Sequence, residues 1–323
     1  MKNFSNLAAA VLVTTSLATG VHADTWKFSA NDIEGNYHTE NAQLFAADVE
    51  RLSGGDLMID VVSGAALLKR SELKRGVQRN IVAIGDLIAG AMGGENAIFD
   101  ADLVPLLATN FEEARRLWDV TRPMYEEALA ADGIMILWAE PWPAQGIYVT
   151  DPIESADALE GVSFRAYNAL TAQFAEQMGA IPTTIPSAEV SQAFSTGLVN
   201  AMITSPTTGV DTQAWDFANY FYNIQAMVPK NLILMNTSMF EGLSAETQAA
   251  VLEAAAIAET RGWEMGMAAQ ESALATLAEN GMIIGDTPDV LKERLNVAAE
   301  TILADWQARG GDAVTAIIDA YQE

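Results

Sequence analysis

Cysteine is absent from all 323 residues. That excludes a disulfide framework, a lipid anchor on an N-terminal cysteine and a Cys–His nucleophile. It does not fix the compartment, because an exported chain of this size builds an adequate core without disulfides. Histidine is almost absent too: there are two, His22 and His38. The first falls in an N-terminal leader, so a Ser–His–Asp arrangement would have to use His38. There is no paired-histidine zinc spacing and no GxxxxGK[ST] phosphate loop, and Gly90, Gly93 and Gly94 do not fit a dinucleotide fingerprint. A pair of hydrolytic carboxylates is left open by motif. With so few activated groups the chain reads as a binding protein rather than an enzyme, with no cofactor.

Positive charge is scarce: 17 lysines and arginines stand against 43 acids, a formal net charge of −26. Nucleic acid needs a basic footprint, and an anionic lipid surface is disfavoured in the same way. The acidity reads as solubility. Long apolar runs are missing after the leader, so no membrane insertion is expected. The leader joins MKNF, the apolar LAAAVLVTTSLA and VHA, which is the order of a secretory signal peptide. Residues 1–23 are therefore expected to be removed, with a mature periplasmic chain starting at Asp24.

What remains is an alternation of strands and helices. DTWKFSA, DLMIDVVSG, IVAIGDLIAG and IMILWAE read as strands in the first half. TENAQLFAADVERLSGG, SELKRGVQRN and NFEEARRLWDVTRPMYEEALAADG read as helices between them, the first with Leu44, Phe45, Val49 and Leu52 on its apolar face. The second half repeats the pattern with GVSFRAY, ALTAQFAEQMGA, IPTTIP, SAEVSQAFSTG and LVNAMITS. This predicts an α/β architecture with mainly parallel sheets. SAETQAAVLEAAAIAETRGWEMGMAAQESALATLAENG is longer than an ordinary domain helix. It either bridges two lobes or kinks near Gly262 and Gly266. A last helix, PDVLKERLNVAAETILADWQARGG, closes the chain.

One residue stands out on charge. Between Pro123 and Pro229 there are twelve acids and a single cation, Arg165. It lies in GVSFRAYN, at a strand-to-helix turn where ligands of open α/β sheets bind, with Tyr167 and Asn168 following. A guanidinium there suits a carboxylate, which it grips by two parallel hydrogen bonds. It equally suits a salt bridge to one of the twelve acids, and the pattern leaves the two open.

VERLSGGDLMIDVVSGAALLKRSELKRGV, DPIESADALEGVSFRAYN and MGAIPTTIPSAEVSQAFSTGLVNAMITSP together resemble the solute receptors of tripartite ATP-independent periplasmic (TRAP) transporters. The resemblance runs over nearly the whole mature chain. It implies a two-lobed binding-protein fold with the cleft between lobes and a long bridging helix. It further implies lobe I over 24–147 plus about 236–270, and lobe II over 148–235 plus about 271–323. It implies a receptor that closes over a small organic anion and delivers it to the membrane permease subunits of a TRAP transporter, with Arg165 as the carboxylate clamp. Two other readings stand beside it: a receptor for an ATP-driven importer or a sensor kinase, and an enzyme on a similar fold. Many such receptors carry a second arginine before the proline step, where this chain has Gln145 in WPAQGIYVTDPI. A neutral amide gives no second charged fork. The expected ligand is thus a monocarboxylate with an apolar or aromatic body. A dicarboxylate or sugar acid is the alternative, its second group meeting Lys69 or Arg70. By position, the remaining cleft candidates are Asn36, Tyr37 and His38 on the first loop, Met92 and Gly93 after the third strand, and Trp142 before Gln145. Asn168, Ser205, Thr207 and Trp215 complete the set.

Overall fold

The computed structural model describes residues 24–322, so the expected leader lies outside the described residues. Two sheets organise them. The first has the order β2-β1-β3-β10-β4: Leu57–Val62, Asp24–Ser29, Ile84–Ile88, Lys230–Asn236 and Ile134–Pro141. The second has the order β11-β9-β5-β8-β6-β7: Ile283–Asp286, Tyr220–Asn223, Gly146–Val149, Ala201–Thr204, Ser163–Ala166 and Ile181–Thr184. The helices are α1 Tyr37–Leu52, α2 Arg70–Gln78, α3 Phe111–Ala130, α4 Ala169–Gln177, α5 Val190–Ser195, α6 Pro206–Asp211, α7 Thr237–Glu241, α8 Ala245–Glu279 and α9 Asp289–Gln322.

Each sheet is mainly parallel, as expected, with one strand running against the rest. β10 runs antiparallel to β3 and β4, and β5 runs antiparallel to β8 and β9. Both are the strands by which the chain enters one sheet directly from the other, so they arrive from the opposite end. β10 pairs in the first sheet from Lys230, six residues before the expected return at 236. The two crossing segments hydrogen-bond to each other: Trp142 N to Pro229 O at 2.7 Å and Gln145 N to Met227 O at 2.9 Å.

Local signals explain most helix ends. Asn36 caps α1 by accepting from His38 N at 2.9 Å, and Gly54 and Gly55 leave it at φ of 67° and 89°. Phe45 and Val49 are buried on its inner face against Trp138, while Leu44 turns to solvent. Ser244 caps α8 through Thr247 N at 3.1 Å. α8 then runs unbroken for 35 residues, about 52 Å at the helical rise, and packs on α1 and β4 of one lobe and on α6 and β11 of the other. Within α9 the first helix ends at the expected glycines: Gly311, with φ of 55°, is not helical, and a second helix follows it.

Gly262 and Gly266 do not kink α8; they let it approach the first sheet. A Cβ on Gly266 would come within 2.9 Å of the Pro141 carbonyl oxygen, and one on Gly262 would overlap the Glu140 carboxylate. Gly262→Ala is therefore expected to lower stability by about 1–3 kcal/mol despite its better helix propensity. Chemical denaturation would show this as a lower midpoint.

Candidate ligand-binding cleft

Between the two sheets lies a cavity of about 30 Å³. It opens into a wider cleft of about 580 Å³ that shares Asp32, Arg70, Arg165, Tyr167 and Ser187 with it. Arg165 forms one wall from β6, where it pairs with Thr183 of β7 and Met202 of β8. Its neighbours Phe164 and Ala166 point to the opposite face and are fully buried. Arg165 itself is only 2% exposed. Nε donates to Ile185 O at 2.9 Å, and Nη1 is buried without a hydrogen-bond partner. The guanidinium lies over the Tyr167 ring, 5.4 Å from its centre.

Among the described residues no carboxylate pairs with Arg165. Burial, and then repulsion from Arg70, pull its pKa down to about 9, with Tyr167 opposing them. It remains charged at neutral pH. A buried cation without a partner is costly, and an incoming anion removes that cost.

The facing wall comes from the first lobe. Asp32 follows β1, Ile88 ends β3 and Arg70 starts α2. The crossing segment supplies Trp142 and Gln145. Trp142 is fixed by its Nε1 donating to Asn231 Oδ1 at 2.8 Å, and Gln145 turns its amide back to Pro143 O at 3.0 Å. The β8–α6 turn adds Thr204, Ser205 and Thr208, with Ser205 Oγ accepting from Thr208 N at 3.0 Å. The cavity thus presents two guanidiniums, Arg165 and Arg70, the Asp32 carboxylate and an aromatic wall.

The sequence candidates divide accordingly. Arg70, Trp142, Gln145, Arg165 and Ser205 come together around the cavity. His38 sits one layer behind, stacked 4.2 Å from Trp142 with Nδ1 at 2.8 Å from Glu140 Oε1. Burial works to lower its pKa, but the Glu140 carboxylate, aided by Asp32 and Asp86, raises it. Asn36, Tyr37 and Thr207 line a separate cavity of about 220 Å³ beside α8. There Asn36 Nδ2 donates across the lobes to Asp211 Oδ2 at 2.7 Å. Asn168 caps α4, accepting from Thr171 N at 2.9 Å. Lys69 is exposed at the start of α2, where its backbone N donates to Glu72. Met92 is in the core, and Gly93 packs tightly on the Asp100 carboxylate. Trp215 packs in the second lobe with Phe217. These last four do not line the cavity, because a loop's position in sequence does not reveal which way its side chains turn.

Asp32, Ile88, Ser187, Thr204 and Thr208 line the cavity without having been singled out. Asp32 is one acid among 43, and the NDIEGNYH loop offers two, so composition carried no signal for it.

Residues 28–309 match the family described as bacterial extracellular solute-binding protein, family 7. The fold superimposes on DctP7, a Bordetella pertussis extracytoplasmic solute receptor binding pyroglutamic acid, with a TM-score of 0.91 and 43% identity, covering 93% of this chain and 100% of that one. A marine metagenome TRAP solute-binding protein specific for pyroglutamate, from an unidentified microbe, gives a TM-score of 0.90 and 31% identity over 93% and 99% of the two chains. The ectoine/5-hydroxyectoine-binding periplasmic protein UehA of Ruegeria pomeroyi is 24% identical over 325 residues, 96% of this chain and 93% of its own.

Proposed function

The chain belongs to family 7 of the bacterial extracellular solute-binding proteins, the TRAP receptors for small organic acids, and from that premise we propose a ligand class: a compact ring carrying one carboxylate and an N–H. Pyroglutamate is the best fit. The observation that carries this reading is Arg165, a buried guanidinium with no acid of its own, in a cavity that also holds the Asp32 carboxylate. The ligand carboxylate takes the guanidinium by two charge-assisted hydrogen bonds. Asp32 accepts the ring N–H, and Trp142 and Ile88 pack on the ring. The cavity alone is too small for such a ring, which therefore also occupies the adjoining cleft that shares Arg165 and Asp32 with it. Arg70 and Asp32 offset each other, so the lining carries one net positive charge, which matches a single carboxylate. The expected apolar body is therefore revised to a ring with one polar edge. Structures of relatives at 43% and 31% identity hold pyroglutamate, which supports the same class here. An ectoine-type ring zwitterion is the second reading, favoured by Asp32 and by the 24% identical relative.

In this reading residues 1–23 direct export and are removed, the protein works in the periplasm, and it passes the ligand to a TRAP permease without catalysing a reaction. We place the hinge at the paired crossing segments 142–145 and 224–229 and along α8. Arg165 belongs to one lobe and Asp32 to the other, so a ligand that meets both holds them closed. Closure should lower the radius of gyration in solution scattering. A thermal-shift panel tests the ligand: L-pyroglutamate at about 100 times its Kd should add about 2.7 kcal/mol of stability. Stabilisation by succinate or glucuronate, with none by pyroglutamate or ectoine, would remove this reading.

A further inference from the structure

Behind the cavity lies a second carboxyl that ligand contact does not use. Asp86 precedes Ile88 by two residues on β3, so both side chains leave the strand on the same face. Ile88 reaches the cavity, whereas Asp86 lies one step deeper and is 1% exposed. Its Oδ1 receives only a long contact from Asn31 Nδ2 at 3.4 Å, and its Oδ2 is buried without a partner. Charged groups face it from each neighbouring element: Asp32 after β1, His38 on α1, Glu140 on β4 and Arg70 at the start of α2. Of these, Asp32 acts on it most strongly. His38 is already engaged by Glu140, and Arg70 faces the cavity, so neither is bound to Asp86.

We propose that Asp86 is a buried, unpartnered carboxyl beneath the ligand cavity, and that binding of an anionic ligand draws one proton onto it. This rests on the carboxylate-receptor reading above. A carboxyl buried without a hydrogen-bond donor ionises reluctantly, and nearby negative charge opposes its ionisation further. Burial first, and Asp32 second, raise the Asp86 carboxyl to about 7. A bound carboxylate adds another negative charge and expels water, so the complex holds the proton to higher pH than the free protein does. The sign follows from that order. Well below pH 7 both states carry the proton and affinity is at its maximum. As pH rises through the free protein's pKa, binding must take up a proton, and affinity falls by up to about tenfold per pH unit until the complex also ionises. A receptor built this way holds its anion more tightly in an acidic medium.

Isothermal titration of the full mature chain with L-pyroglutamate, in buffers of different ionisation enthalpy, counts the protons. Uptake should be near zero at about pH 5.5 and approach one at about pH 8, with Kd weaker by about tenfold at the higher pH. Asp86→Asn should abolish the uptake and flatten the profile. Asp211→Asn should keep both, although burial also raises Asp211, to about 6. Absence of uptake in the unaltered protein, or its loss in Asp211→Asn with retention in Asp86→Asn, would overturn the proposal. An arm without ligand stands apart from the ligand reading: carboxyl NMR of the free protein should show Asp86 titrating near neutrality, and a midpoint in the ordinary carboxylate range would overturn the proposal whatever pyroglutamate does. Failure of pyroglutamate to bind at any pH, with Asp86 titrating near neutrality, would instead count against the ligand assignment and uphold Asp86 as the proton-accepting group.

Discussion

Arg165→Met should cost at least about 100-fold in affinity for a small carboxylate while leaving the ligand-free protein within about 1 kcal/mol of its original stability. Both halves follow from the same geometry. Removing one member of a buried, hydrogen-bonded charge pair costs about 2–5 kcal/mol in binding, and here the pair exists only once ligand is present. Without ligand, the side chain is a buried cation whose Nη1 has no partner. Replacing such a charge by an apolar group of similar length is near neutral or favourable, offset by the bond from Nε to Ile185 O that is lost. Arg165→Lys keeps charge but loses the fork, and should weaken binding by about 2–3 kcal/mol. Calorimetry and denaturant unfolding on the same variants separate the two effects. A large loss of stability in Arg165→Met, with affinity intact, would mean that the arginine is structural.

Lys230→Met should do the reverse: destabilise the fold by about 3–5 kcal/mol and disturb ligand affinity much less. Lys230 is fully buried, with Nζ 3.3 Å from Asp102 Oδ2, and its backbone N donates to the same oxygen at 2.8 Å. Burial lowers the pKa of the lysine, against the pull of Asp102. Burial likewise raises the pKa of Asp102, against the pull of Lys230. The pair survives because each charge answers the other, and removing one strands its partner. Asp102→Asn combined with Lys230→Met should recover much of the loss. Equal losses in the single and double variants, read from urea midpoints, would show that Asp102 does not depend on Lys230.

These two residues show how far the sequence could be read. Arg165 is conspicuous in sequence as the single cation between Pro123 and Pro229, and Lys230 is the next one along. Charge spacing could not say which was structural, because Asp102 meets Lys230 across 128 residues. Only the folded chain shows one buried cation with an acid and one without. The same limit applies to topology. Apolar runs and capping residues such as Asn36 and Ser244 located strands and helices. Strand direction was not legible, since β5 and β10 differ from their neighbours in how the chain arrives and not in composition. Gly262 and Gly266 were visible as an interruption of helical pattern, but their cause, the Glu140 and Pro141 backbone and side-chain atoms pressed against α8, is a tertiary contact. Asp32 was invisible for the opposite reason: acids are so common in this chain that the one facing Arg165 across the cavity looked like the rest.

The most direct test of the account is a crystal structure of the mature protein grown with the proposed ring carboxylate. The expected result is a closed cleft with both carboxylate oxygens within hydrogen-bond distance of the Arg165 guanidinium and the ring N–H directed at Asp32. A ligand seated elsewhere, or one whose carboxylate leaves Arg165 unpaired, would contradict it.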